Sequence, residues 1–264
     1  MKAGWLCGMA VAVAGVAAIL PDAPSPPPSQ QPAQDPAQAA LVARFAEQGI
    51  RVDLDAKTIE LDARISNLRE PLEYLLVLQP QGKDYESLLS CAGIPAEALN
   101  AAMLLLGVEK GQNGRVTPVE PPPSLEEIQN GAEPYVMRPA SGDGFYIYVS
   151  WEEQIDGQTE PFVYRAEDLV INARDEGTYQ RGKFVYLGSR FVKPHKDAQE
   201  FFAAQGEGNL VSLCLFDPAN HLLAGSDPDS DNQDAWYSNI FLLPPMGHPV
   251  KVIFARERLD SISQ

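Results

Sequence analysis

Residues 71–107 read PLEYLLVLQPQGKDYESLLSCAGIPAEALNAAMLLLG, and this stretch decides the fold. Leu72 to Leu78 is apolar at nearly every position, the pattern of a strand covered on both faces. Strand alternation sets Leu72, Tyr74, Leu76 and Leu78 on one side and Glu73, Leu75 and Val77 on the other. A Gly82-Lys83 turn leads into a second, acid-headed strand. A helix then follows, with Pro95 in its first turn. Leu99, Ala102, Met103 and Leu106 lie on one face of it, and Gly107 is its stop.

Working outward, Ile50-Val52-Leu54 and Ile59-Leu61-Ala63-Ile65 alternate with charged residues, which predicts a two-stranded meander with one face on the core. Before it, Leu41, Val42 and Phe45 form a short apolar stripe ended by Gly49. Ser124 and Glu127 have capping-box spacing, with Gly131 closing one or two helical turns. Phe145-Ile147-Val149-Trp151 alternates with Tyr146 and Tyr148, turns at Asp156-Gly157 and returns through Phe162-Val163-Tyr164, a hairpin signature. Further strands are predicted at 184–187, 210–216, 236–242 and 250–255, and a helix at Lys196–Gln205 stopped by Gly206. Strands outnumber helices and short turns link them. The expected class is therefore α+β and β-rich: mainly antiparallel sheets with a few short helices, in a single domain over residues 41–260.

The N-terminal part has a different character. Met1-Lys2 followed by an apolar run to Leu20 has the form of a secretory signal, with an uncleaved membrane anchor as the competing reading. Gly4, Gly8 and Gly15 weaken a helix there and favour cleavage. Cys7 precedes most of the apolar run, which is the wrong order for a lipidation site. Residues 21–40 read as a Pro/Gln/Ala-rich linker, extended through Ala37, that could tether the domain to a membrane.

A formal net charge of −16 repels phosphate backbones, so no nucleic-acid partner is expected. An acidic surface also serves solubility. Beyond the leader the cysteines are Cys91 and Cys214. An oxidising compartment would permit them to pair, whereas the apolar run 210–216 around Cys214 suits an inert buried thiol. Two thiols are too few for an iron–sulfur cluster, and no cofactor is expected.

Several separated blocks resemble the YdjY-domain family of bacterial exported proteins. Pro71-Leu72-Glu73-Tyr74 is similar to its P-L-E-Y strand opening, and Gly82 to Leu88 to its G-K-x-H-E-S-L turn, with Tyr85 where a His is usual. Ala102–Gly107, Trp151, Arg165–Val170, Leu187–Val192 and Leu243–Val250 match further blocks, with His248 where Thr or Ser is more common. The resemblance spans residues 46–256. It implies a fold family and an envelope location, and it implies no reaction.

Glu73 is the chemical oddity. A carboxylate in a doubly covered strand must be paired, hydrogen-bonded or protonated. Lys83 and Arg69 are the nearby candidates for its counter-charge. With Glu86 it would form a carboxylate pair of the kind used in acid–base work. Asp227-Pro228-Asp229-Ser230-Asp231 opens like a calcium loop, but Asn232 and Ser238 stand where such a loop needs Gly and Glu, so an acidic turn is the better account. His195, His221 and His248 lack metal-site spacing, and no G-x-S-x-G, G-x-G-x-x-G or P-loop occurs, so no metal and no catalytic residue is assigned. The expected function is an exported, non-catalytic binding or assembly module at the cell envelope. Glu73, Lys83 and Glu86 are its candidate ligand-binding residues, and its partner is an envelope protein or a small ligand. The alternative is a carboxylate-based or metal-dependent envelope enzyme using Glu73 and Glu86.

Overall fold

The structure, a computed structural model, describes residues 35–193 and 195–259. The predicted leader (1–20) and most of the linker lie outside the described residues. The described chain begins with α1 (Pro36–Glu47), β1 (Ile50–Asp53), β2 (Thr58–Ile65), β3 (Tyr74–Gln79), β4 (Ser87–Ala92) and α2 (Ala96–Leu105). It continues with β5 (Arg115–Pro118), α3 (Leu125–Gln129), β6 (Tyr135–Arg138), β7 (Gly144–Ile155), β8 (Gln158–Arg165), β9 (Val170–Asn172) and β10 (Phe184–Tyr186). The last elements are β11 (Phe191–Val192), β12 (Phe201–Phe202), α4 (Ala203–Glu207), β13 (Asn209–Ser212), β14 (Leu223–Ala224), β15 (Trp236–Ser238) and β16 (Pro249–Ala255).

The fold is β-rich with a few short helices in one domain, and its main sheet closes on itself. Strands run β2-β16-β7-β10-β14-β13-β3-β4, and β4 pairs back to β2, giving an eight-stranded barrel with β1 and β8 appended. The ring is mixed. Its pairing is mainly antiparallel, as expected, but β13–β14 and β3–β4 are parallel, and the closure into a barrel goes beyond the sheets that the sequence predicts. Alternation builds the core. Ile59, Leu61, Ala63 and Ile65 of β2, Phe145, Ile147, Val149 and Trp151 of β7, and Val250, Val252 and Phe254 of β16 are all buried. Side chains fill a barrel of this strand number.

The two strong hairpin signatures form as the sequence predicts. β1 pairs β2, and β7 pairs β8 around Asp156 and Gly157, both at positive φ as a tight two-residue turn requires. Ser124 and Glu127 make both bonds of the capping box.

Three local readings are corrected. Helix α1 starts at Pro36, so the end of the stretch read as extended linker is helical. Lys196–Gln205 is not a helix: Phe201-Phe202 pairs with Phe191-Val192, and only Ala203–Glu207 coils, ending at Gly208 with φ 73°. The strand predicted through Leu242 stops at Ser238, after which Ile240 and Phe241 are exposed in a turn. Gly82-Lys83 joins β3 to β4, as the sequence predicts. It is part of a seven-residue crossover, 80–86, between parallel strands that ordinarily need a dozen or more residues.

So short a crossover must hug the strand it leaves. Gly82 N–H donates to Leu78 O at 2.7 Å, and Leu78 N–H donates to Gly208 O at 2.6 Å. A Cβ on Gly82 would lie 2.6 Å from Val77 Cβ and 2.9 Å from Gly208 O, so only glycine fits.

Candidate functional site

Parallel pairing puts equivalent residues of β3 and β4 side by side. Tyr74 sits opposite Ser87, so the residues just before them, Glu73 and Glu86, are neighbours at the strand openings. Glu73 N–H donates to Glu86 O at 2.9 Å. Glu73 is thus outside β3, which is buried from Tyr74 to Leu78, and its side chain keeps 17% exposure. The expectation of a carboxylate trapped inside a doubly covered strand is corrected accordingly. Glu86 ends a single 3-10 turn, Asp84–Glu86, rather than lying within the strand.

Lys83 lies between the two acids. Its ammonium is 2.7 Å from Glu86 Oε2 and 3.9 Å from Glu73 Oε2. Arg69, the other candidate counter-charge, instead gives its backbone N–H to Asn67 Oδ1 at 2.9 Å. All three candidate ligand-binding residues therefore meet. Glu73 and Glu86 line a cleft of about 280 Å³ together with Glu70, Tyr85, Gln233 and Asp234. Burial raises the pKa of Glu73. A hydrogen bond to Glu86 and the charges of Glu86 and Asp234 raise it further, while Lys83 opposes them. Glu86 in turn raises the pKa of Lys83. The carboxyls can share a proton and offer acceptors, with one cation held beside them. Asp234 could not have been assigned from the sequence, since it arrives from a distant loop.

The other sequence candidates are structural. Asp227 Oδ1 accepts from Asp229 N–H at 2.8 Å and its Oδ2 from Gln180 N–H at 2.7 Å, while Asp229 Oδ2 accepts from Asn172 Nδ2 at 2.9 Å. These bonds hold an acidic turn. Among the described residues no group of three or more His, Cys, Asp and Glu is placed to hold a metal ion. Cys91 and Cys214 are free and buried, which resolves the open question of their pairing. Burial pushes the Cys91 thiol up to about 12 and raises that of Cys214 as well.

The fully buried carboxylate is one the sequence reading did not single out. Glu167 is 1% exposed, paired in fork geometry with Arg165, and accepts from Gly182 N–H at 3.0 Å. The signal was an Arg and a Glu two residues apart on either side of Ala166, at the start of a 3-10 turn. Such a pair is ordinary on a surface and becomes informative only with burial.

A second hollow, about 720 Å³, lies on the outer face of β2, β16, β7 and β8, where Asp62, Lys251, Ser150 and Val163 form one cross-strand row. Among its charges, Lys251 pairs with Glu60 at 3.1 Å, and Arg51 pairs with Glu60 and Asp62.

A family model described as the YdjY domain matches residues 50–255. No curated protein and no solved structure is significantly similar to the chain.

Proposed function

The chain belongs to the YdjY-domain family, and we propose that it works as an exported, non-catalytic binding or assembly module at the cell envelope, contacting its ligand through Glu73, Lys83 and Glu86. One observation carries this reading. The acids converge on a surface cleft, but they touch each other and share a lysine instead of standing apart around a vacant reaction site. A retaining glycosidase needs its carboxyls about 5 Å apart, and an inverting one wider still. A proton-sharing dyad of the aspartic-protease kind works through repulsion between its two acids. A lysine at 2.7 Å relieves that repulsion. The export half of the proposal rests on the apolar leader at residues 1–20 and the Pro-rich stretch after it.

The raised pKa of Glu73 favours a second reading, an envelope enzyme with Glu73 as general acid. The two readings part on a binding experiment. An envelope fraction is passed over immobilised wild-type chain and over Glu73→Gln and Lys83→Met. A binding module loses or weakens capture in the variants and releases the captured molecule unchanged. Release of a chemically altered molecule by wild type alone would favour the enzyme. Location is tested separately: tagged full-length chain should reach the envelope, and deletion of residues 1–20 should hold it in the cytoplasm. Finding both forms in the cytoplasm would sink the export claim.

A further inference from the structure

The segment from Ala235 to Val250 carries no Asp, Glu, Lys or Arg, in a chain where 21% of residues are charged. Its middle is the turn that follows β15, and this turn holds apolar side chains away from the protein. Ile240 is 57% exposed, Phe241 89% and Met246 67%. Backbone bonds fix it. Asn239 N–H donates to Leu169 O at 2.9 Å and its Nδ2 to Asp168 O at 3.0 Å. Leu242 N–H donates to Asn239 O at 3.1 Å, and Gly247 N–H to Ile65 O at 2.8 Å. Leu242 and Leu243 pack against the core beneath. A fixed, uncharged projection tipped by Phe and Met has the composition of an interface centre.

The projection adjoins the acid cleft. Gln233 and Asp234 line the cleft and lead directly into β15. Ser238 Oγ, at the end of that strand, donates to Asn67 O at 2.6 Å. Asn67 Nδ2 in turn donates to Tyr85 O at 2.7 Å and to Glu70 O at 3.1 Å, and both of those residues line the cleft. Six residues separate Asp234 from Ile240, so the two features lie at most about 20 Å apart. One short extended segment spans that distance.

Charge selects the occupant. Glu70, Glu73, Glu86 and Asp234 line the cleft, and Lys83 pairs with Glu73 and Glu86. Glu70 and Asp234 are exposed on its rim. Even with Arg69, exposed beside Glu70, the acids outnumber the bases here. We propose that Ile240, Phe241 and Met246 form one docking surface with the acid cleft, and that its occupant is a polypeptide segment bearing lysine or arginine beside apolar side chains. The basic group meets Glu70 and Asp234 while the apolar side chain covers Phe241. The proposal rests on the reading of the cleft as a ligand site and names the class of that ligand. A bilayer fits less well, since segments that insert into anionic membranes bring Lys and Arg with them, and 235–250 brings neither. A second copy would carry its own charge of −16 to an acidic rim.

The test titrates a labelled peptide of alternating lysine and leucine into the intact chain at physiological ionic strength, read by fluorescence anisotropy. Saturable binding is expected, and none with a peptide of alternating glutamate and leucine. Phe241→Ser, which removes a side chain that touches little of its own chain, should weaken binding about tenfold, the loss of one apolar anchor. Glu70→Gln with Asp234→Asn should weaken it by a similar factor. Asp55→Asn with Glu257→Gln, beyond the Thr58 end of β2 while the projection sits at its Ile65 end, removes as much charge and should leave binding unchanged. An equal loss in that remote pair would mean attraction by overall charge alone and would overturn the proposal. So would Phe241-dependent sedimentation with phosphatidylcholine vesicles, or a Phe241-dependent dimer in analytical ultracentrifugation. Full affinity in Phe241→Ser beside a loss in the rim variants would sink the shared surface yet leave the cleft as a ligand site. The cleft reading itself fails on Glu73→Gln and Lys83→Met, which leave Phe241 in place.

Discussion

The backbone N–H of Glu73 donates to the carbonyl oxygen of Glu86 across 2.9 Å. That bond is a rung of the parallel β3–β4 pairing, and it is why two acids thirteen positions apart in sequence share one cleft. The pair is positioned by backbone geometry and tuned by side chains, so each can be changed without the other.

Glu73→Gln tests the tuning. The Glu73 carboxyl is held above its ordinary range by burial and by Glu86. The folded chain therefore binds more proton there than the unfolded chain. Its contribution turns unfavourable as pH rises through the ordinary carboxylate range, and it is neutral below that range. At pH 7, Glu73→Gln should be as stable as the parent or more so, with the difference closing as pH falls below about 4. Urea denaturation at pH 7 and at pH 3.5 reads this. A loss of roughly 3–5 kcal/mol at pH 7 would instead mean an essential buried ion pair.

His221 should work in the opposite sense. Its folded pKa, about 4, lies below the unfolded value near 6.5. The stability linked to it is complete above pH 6.5 and is lost as pH falls toward 4, by roughly 3 kcal/mol in all. Replacement by Phe should flatten the fall in stability between pH 6.5 and 4, measured by the same denaturation series.

Glu167→Ala should be among the most damaging single changes, costing about 3–5 kcal/mol because it strands Arg165 with 12% of its side chain exposed. Arg165→Met combined with Glu167→Leu should recover much of that loss. A double-mutant cycle by chemical denaturation gives the coupling between the two.

Gly82→Ala should cost about 1–3 kcal/mol through overpacking, because the new methyl meets Val77 Cβ and Gly208 O, neither of which can swing aside. Melting curves measure the loss, and amide exchange should rise first in the 80–86 crossover.

What the sequence disclosed followed the range of the forces involved. Hairpins β1–β2 and β7–β8 were legible because alternation and turn residues such as Asp156-Gly157 are local. Barrel closure was not, because it depends on the β2–β4 pairing and on strands as short as Leu223–Ala224, too brief to show a period. The Gly82-Lys83 turn was legible, but that it joins parallel strands through a close backbone approach was not, because glycine serves many kinds of connection. Glu73, Lys83 and Glu86 were legible as acids and a base at strand openings. Their convergence required the parallel register, and Asp234 joins them only through tertiary folding.

Closing the ring also bears on how the protein behaves when crowded. A closed ring gives other chains no strand to extend, so within the main sheet the appended strands β1 and β8 are the edges open to an incoming strand. Both are blunted. β1 is four residues long and carries Arg51 and Asp53, and β8 carries Glu160 and Pro161, a residue that cannot donate to an incoming strand. The main sheet thus offers an incoming strand no long, flat edge to extend.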